Sequence, residues 1–427
     1  MERVLHPSRN ALRIPLASVE PQFDIDAPRY RGSNPATYLL LALCHETLAG
    51  PSTLSTDGPL GTDSVTPDYS RMIPRIAEGL VENADGSWCL RLRPGVRSHR
   101  GNELSAQDVK WAFERSFALN TFAAYRWGQI AGVTDSETGV RVIDKYTVCF
   151  TLRAPNPNFA SYLFLATPMI VDSADVQSHA TSSDPWALKW LSKPHAAGFG
   201  PYDLAEITGE QMTFSARKDH WQGSPPNAEV LVHRVESRSE AISELSSSEP
   251  VYVAGLRPDE ATNLRTRSTV FLTSSWGGHS YIGMNYNRPP FDDIRVRHAL
   301  SYATPYKQII EQGFLGLARP WHGPVPSFDA WYLNENQDYR TDQRKATDLL
   351  REAGYGTGFQ TALYVNNRPD LLRITEILKD AYRAIGIDLE IRDMSAIPAG
   401  WCPPLYLRTE CGHNINETVY DLSLIHI

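Results

Sequence analysis

The chain of 427 residues has few cysteines, no long apolar run and no excess of positive charge. Its five cysteines are Cys44, Cys89, Cys149, Cys402 and Cys411. The number is odd and the first three lie far apart, so no disulfide framework is readable from them. Cys89 and Cys149 fall inside alternating strand patterns, where a small buried hydrophobe is the plain reading. Cys402, Cys411 and His413 are near neighbours in sequence, but zinc sites space their cysteine pairs more closely, and ordinary cysteines are expected there. The longest apolar run, Tyr38 to Cys44, falls far short of the ~20 residues that a membrane helix requires. A net charge of −8 recruits neither nucleic acid nor anionic lipid. Met1 to Pro15 has no apolar segment or small-residue cleavage site of an export signal. Either the protein stays in the cytoplasm or an exporting segment is missing. Ser423 to Ile427 ends on apolar residues, which reads as a truncated or spliced reading frame.

Catalytic signatures are also missing. His45-Glu46-Thr47-Leu48-Ala49 starts like a zinc-protease helix but lacks the second His that would put two imidazoles on one metal. Gly198-Phe199-Gly200-Pro201-Tyr202-Asp203 has Asp203 where a dinucleotide loop needs a third glycine, and Pro201 removes a donor N–H. No phosphate-binding loop and no nucleophile elbow occur. The carboxylate pairs Asp24/Asp26 and Asp292/Asp293 are of a kind expected by chance among 49 acids, and helix capping accounts for the second. No catalytic residue, resident metal or cofactor is expected.

What the sequence does contain is a regular alternation of short strands and amphipathic helices. Trp88, Leu90 and Leu92 alternate with polar neighbours, between turn residues Asn83 to Gly86 and Pro94-Gly95, as in a half-buried strand. Ser105 and Asp108 form a capping-box pattern ahead of a helix burying Val109, Ala112, Phe113, Ser116 and Phe117. Val148, Phe150 and Leu152 line one side of another strand. Residues 154–249 read as loops with strands at Gln211–Ala216 and Val230–Glu236. Further on, a strand at Tyr281–Asn287 leads through Pro289-Pro290 to a helix starting at Asp292 or Asp293, with Val296, Ala299, Leu300 and Ala303 buried. A helix from Thr341 to Ala353 ends at Gly354. A strand at Thr361–Val365, a helix carrying Ile374, Leu378, Ala381 and Ile385, a left-handed cap at Gly386 and a strand from Ile387 form a βαβ unit with a parallel pair. Composition and spacing reach a multidomain α/β protein rich in aromatics.

Several stretches carry more. Asp85 to Val96, continuing through Gly101 to Val109, resembles the strand, turn and helix start of the family 5 extracellular solute-binding proteins of ABC importers. Gly198 to Tyr202 is similar to that family's "GTGPY" turn. Pro290 to Leu300 is similar to its "PPFxDxRVRxAL" signature, and Ala346 to Gly354 to its "A-x-x-L-L-x-E-A-G" helix. The resemblance covers most of Leu12 to Asp393. Departures are Gly101 to Ser105, looser than the usual "DGxPLT", and Arg97-Ser98-His99 in place of "KFH". After Asp393 the pattern fades before the family's chain returns to its first lobe.

The resemblance implies an α/β, two-lobe periplasmic-binding-protein-like fold (type II, large cluster C-like) with an extra subdomain in lobe one. Lobe one would comprise residues 1–35 and 154–270, the subdomain 36–153, the crossover 271–285 and an incomplete lobe two 286–427. It implies a receptor that closes on a small-molecule solute, most often a peptide held by main-chain hydrogen bonds, and hands it to the transmembrane subunits of an ABC permease. It also implies a monomer outside the cytoplasm. Candidate ligand contacts are Trp276 and Tyr281 at the crossover, Asn285, Tyr125, Arg126, Trp127 and Tyr38. Each has a plainer reading: hinge cover for Trp276 and Tyr281, a strand-end cap for Asn285, a solvated Arg126 beside a core Trp127, and a core Tyr38. His99 and His279 can serve a metal complex, though structural histidines are commoner. Two other functions stay open: a cytoplasmic solute sensor built on the same fold, and a hydrolase with an unrecognised site.

Overall fold

The computed structural model describes residues 11–16, 24, 42–57, 63–164, 168–193, 197–264, 278–318, 339–397, 403–411 and 422–426. The chain divides into two compact units, Met1–Ser52 with Tyr69–Gly255, and Thr53–Asp68 with Leu256–Ile427. Among the described residues no helix is long and apolar enough to cross a membrane.

Strand β1 (Ala11–Leu16) is followed by a paired ribbon, β2 (Ala49–Asp57) and β3 (Asp63–Pro74). Strands β4 (Ala77–Glu82), β5 (Trp88–Leu92), β6 (Val140–Asp144) and β7 (Thr147–Phe150) then build an antiparallel sheet of order β4-β5-β7-β6. Its inner face presents Leu90, Leu92, Val148, Phe150 and Val140 to helix α1 (Ala106–Ala118), which buries Val109, Ala112, Phe113 and Ser116 as its 3.6-residue period dictates. The start of α1 is fastened as the capping pattern predicts. Asp108 Oδ2 accepts from Ser105 N–H at 2.8 Å and from its hydroxyl at 2.9 Å. Its Oδ1 accepts from the backbone and hydroxyl of Ser173 at 2.9 and 2.7 Å, so one carboxylate ties two helix starts together. A short helix, α2 (Phe122–Tyr125), runs into a π turn at Arg126–Ile130.

On the outer face of this sheet Cys89 and Cys149 stand directly opposite each other and form a disulfide, with Cα atoms 4.1 Å apart. The expectation of two separate buried hydrophobes is therefore corrected. The pattern that buries Leu90, Val148 and Phe150, with Trp88 half-buried beside them, turns the intervening cysteines to the other side, and the pairing of β5 with β7 brings them into register.

Strands β8 (Tyr202–Thr208), β9 (Gln211–Ala216) and β10 (Glu229–Arg234) join β1 in a second sheet of order β1-β10-β9-β8, with β1 parallel to β10. The Gly198 to Tyr202 turn enters this sheet against Cys44 and His45. A Cβ on Gly200 would lie 2.4 Å from the Cys44 carbonyl carbon, and one on Gly198 equally close to His45 Nδ1. Gly200 N–H donates to Cys44 O at 3.0 Å. These glycines serve close backbone approach and no phosphate.

The second unit is built on β11 (Gly278–Asn285), helix α3 (Ile294–Ala303), helix α4 (Gln343–Glu352), β12 (Phe359–Val365), helix α5 (Pro369–Arg383), β13 (Ile387–Asp393), β14 (Leu405–Cys411) and β15 (Leu422–His426). The sheet order is β13-β12-β14-β11-β15, and β12 and β13 are parallel across α5, as the βαβ reading requires. Asp293 caps α3 by accepting from Arg295 N–H at 2.8 Å, and Gly354 (φ +87°) and Gly386 (φ +88°) take the left-handed conformation after α4 and α5. One core joins the three helices to one sheet face: Val296, Leu300, Ala346, Leu350, Ile374 and Leu378 meet Ile282, Met284, Leu363, Val365, Leu405 and Leu407.

Candidate functional site

The opposite face of the second unit's sheet is aromatic and polar-tipped. Period-2 alternation that sends Ile282, Leu363, Leu405 and Leu407 to the helices sends Tyr281, Tyr364 and Tyr406 the other way, where they form a buried cluster. Register places Gly283, Tyr406, Tyr364 and Arg392 in one row across four strands. The Tyr406 ring lies over Gly283, where any Cβ would come within 2.4 Å of the ring. Tyr281 meets the edge of Tyr406 at a centroid distance of 5.9 Å. Arg392 donates to the Tyr364 hydroxyl at 3.1 Å and to Glu390 at 2.7 Å. The row thus offers π-faces and phenol groups with a guanidinium at one end. Asn285, at the end of β11, is buried and accepts from Asn287 N–H at 3.1 Å, which closes the strand.

The first unit, taken by itself, carries an exposed aromatic patch around its π turn. Phe122 and Tyr125 lie parallel, 6.3 Å apart at 16°, and the Arg126 guanidinium sits 4.4 Å over the Phe122 ring. Phe122 is 37% and Tyr125 41% exposed. Trp127 points the opposite way. It is fully buried and touches Phe113, Phe150, Phe159 and Tyr162, so its ring is a core element. The candidates divide accordingly: Tyr125 and Arg126 share one surface, Tyr281 and Asn285 share β11, and Trp127 is packed inside. Tyr38 and Trp276 lie outside the described residues, as do Cys402 and His413. Sequence reasoning missed Tyr364, Tyr406 and Arg392, whose common row depends on strand pairing.

A buried polar cluster surrounds the glycine turn. His99 Nε2 donates to Tyr202 O at 2.9 Å, and burial beside the Arg217 charge lowers its pKa to about 3. Burial lowers that of His45 to about 4. Arg217 is held by Gly200 O, Ser98 O and Asp219, so it is a structural cation. Asp24, half of one carboxylate pair, is buried against Arg115. Among the described residues no group of three or more His, Cys, Asp or Glu is placed to hold a metal.

A family model, the bacterial extracellular solute-binding proteins, family 5 (middle), matches residues 71–404. The heme-binding protein A of Haemophilus influenzae is 26% identical over 334 residues, covering 74% of this chain and 60% of that protein. The glutathione-binding protein GsiB of Salmonella paratyphi A is 29% identical over 332 residues, covering 75% of this chain and 61% of its own length. The chain therefore spans about 60% of the length of these curated relatives. Among solved structures, the periplasmic binding protein DppA of Helicobacter pylori, in complex with the peptide STSA, superposes with a TM-score of 0.70 at 20% identity, over 96% of this chain and 80% of that one. NikZ of Campylobacter jejuni with Ni(L-His) gives 0.69 at 18% identity, over 95% and 78%. These structures share the fold.

Proposed function

The chain belongs to the bacterial extracellular solute-binding proteins of family 5, and from that membership we propose that it is the solute receptor of an ABC importer. It takes up a peptide or similar small solute between two closing lobes, leaves it chemically unchanged and delivers it to a membrane permease. The observation that carries this reading is the match over residues 71–404, which spans the first unit's disulfide-bonded sheet and the second unit's βαβ core. Relatives named for heme and glutathione, and fold neighbours solved in complex with a peptide and a nickel chelate, favour a binding role and leave the solute class broad. Tyr125 and Arg126 are suited to a flat or carboxylate-bearing group, since exposed π-faces and a guanidinium offer stacking and charge-assisted hydrogen bonds. The β11 residues Tyr281 and Asn285 are the second unit's proposed contribution. A disulfide between Cys89 and Cys149 favours an oxidising compartment outside the cytoplasm and disfavours the cytoplasmic sensor.

The test is native mass spectrometry of the complete gene product as purified, followed by thermal-shift titration with tri- and tetrapeptides, glutathione, heme and nickel chelates. A retained or saturably bound solute, recovered intact, is expected. No retained mass and no shift across the whole panel overturns the proposal, and turnover of any panel member restores the hydrolase reading.

A further inference from the structure

The solvent side of the β4-β5-β7-β6 sheet carries the Cys89–Cys149 bridge, and we propose that this bridge is a thiol-exchange site, opened by an external dithiol while the sheet stays folded. Access comes from placement. The bridge shares its cross-strand row with Val81 on β4, 62% exposed, and Arg141 on β6, also exposed. Cys89 is half-buried and Cys149 buried, so an incoming thiolate meets Cys89 Sγ first.

Retention of the fold comes from the same register. The bridge joins residues that the β5–β7 ladder already holds opposite each other, and both strands have a second neighbour, β4 and β6. The sheet's core contacts, through Leu90, Val148 and Phe150, lie on the other face. Breaking the S–S bond therefore removes a cross-link without unpairing a strand or opening the core.

The chemistry balances with a dithiol as reductant. One thiolate attacks Cys89 Sγ, a new S–S bond forms, and Cys149 leaves as a thiolate. Arg141, directly opposite Cys149, lies on the side where that negative charge develops. The partner's second thiolate then attacks its own sulfur in the mixed disulfide and expels Cys89. Two electrons pass to the bridge, the partner departs as a disulfide, and solvent supplies the protons. The other charged groups near this face are Arg91, paired with Glu78 at 3.6 Å, and Asp85, which feels the Arg141 charge.

The native full chain is incubated with dithiothreitol as the probe dithiol, alkylated rapidly, and mapped peptide by peptide. Cys89 and Cys149 are expected to be labelled together while buried Cys44 stays unlabelled and far-UV circular dichroism is unchanged. Labelling only in denaturant, or labelling of Cys44 in step with the pair, overturns the proposal, because either means that the bridge opens only by unfolding. Arg141→Glu is expected to slow the initial exchange several-fold with the circular dichroism unaltered. An unchanged rate removes Arg141 from the mechanism.

Discussion

At the scale of single residues, the cluster at the glycine turn makes the clearest demands. The Nδ1 atoms of both His45 and His99 are buried without a hydrogen-bond partner among the described residues. Each ring is held neutral, with pKa values near 4 and 3 in place of the ordinary 6.5. In the unfolded chain both take up protons as the pH falls below about 6.5. Between that value and the folded pKa values the unfolded state binds more protons, so stability is complete above about pH 6.5 and declines as acid is added. Melting temperature measured from pH 7 to pH 4 is expected to fall, and His99→Gln should flatten the slope. An unaltered slope in that variant would show that His99 is not the buried group responsible. Gly200, packed on the backbone of Cys44 and His45, is equally constrained. Gly200→Ala drives a Cβ into the Cys44 backbone, which cannot rotate away as a side-chain tip can. A loss of about 2–3 kcal/mol in denaturant unfolding is expected. Gly209→Ala, whose added Cβ meets nothing within 4 Å, is the matched control.

At the scale of elements, the helices were readable because each carries its own period and caps. Helix α1 announces itself through Ser105, Asp108 and the Val109–Ala112–Phe113 stripe, and α5 through Ile374, Leu378 and Gly386. Which strands pair was not readable, because pairing is a relation between distant segments. The outward positions of Cys89 and Cys149 were implicit in two alternating strands 60 residues apart, yet only the β5–β7 register makes them partners. The tyrosine row is the same case: Tyr281 stood out beside a predicted crossover, while Tyr364 and Tyr406 joined it only once β12, β14 and β11 were neighbours. In the tract before β10 the sequence shows β9 as Gln211–Ala216, but its antiparallel partner β8 is obscured among Pro- and Ser-rich stretches. The disulfide has a definite weight at this scale. Closing a loop of 60 residues stabilises by about 4 kcal/mol on the chain-entropy account. The double variant Cys89→Ser/Cys149→Ser is expected to lose about that much in urea unfolding of the first unit, while solute affinity under native conditions is retained. A loss below about 1 kcal/mol would mean that the strand pairing alone already restricts the unfolded chain.

At the scale of the whole molecule, each unit has its own apolar core. The second unit's core is drawn from residues 282 to 407, and the first unit's principal core from residues 48 to 199. Units with separate cores unfold as separate cooperative blocks unless something couples them. Calorimetry of the solute-free protein is therefore expected to show two transitions, with a van't Hoff enthalpy below the calorimetric total. Reducing the Cys89–Cys149 bridge lowers only the first unit's transition and so identifies it. A solute that both units grip binds neither unit once one has unfolded, so saturation raises the lower transition toward the upper and draws the two into one. At a concentration 100 times its Kd the expected stabilisation is about 2.7 kcal/mol. If saturation moves only one transition, whichever it is, the solute is held by that unit alone. Capture between closing lobes would then be wrong even with the family membership intact.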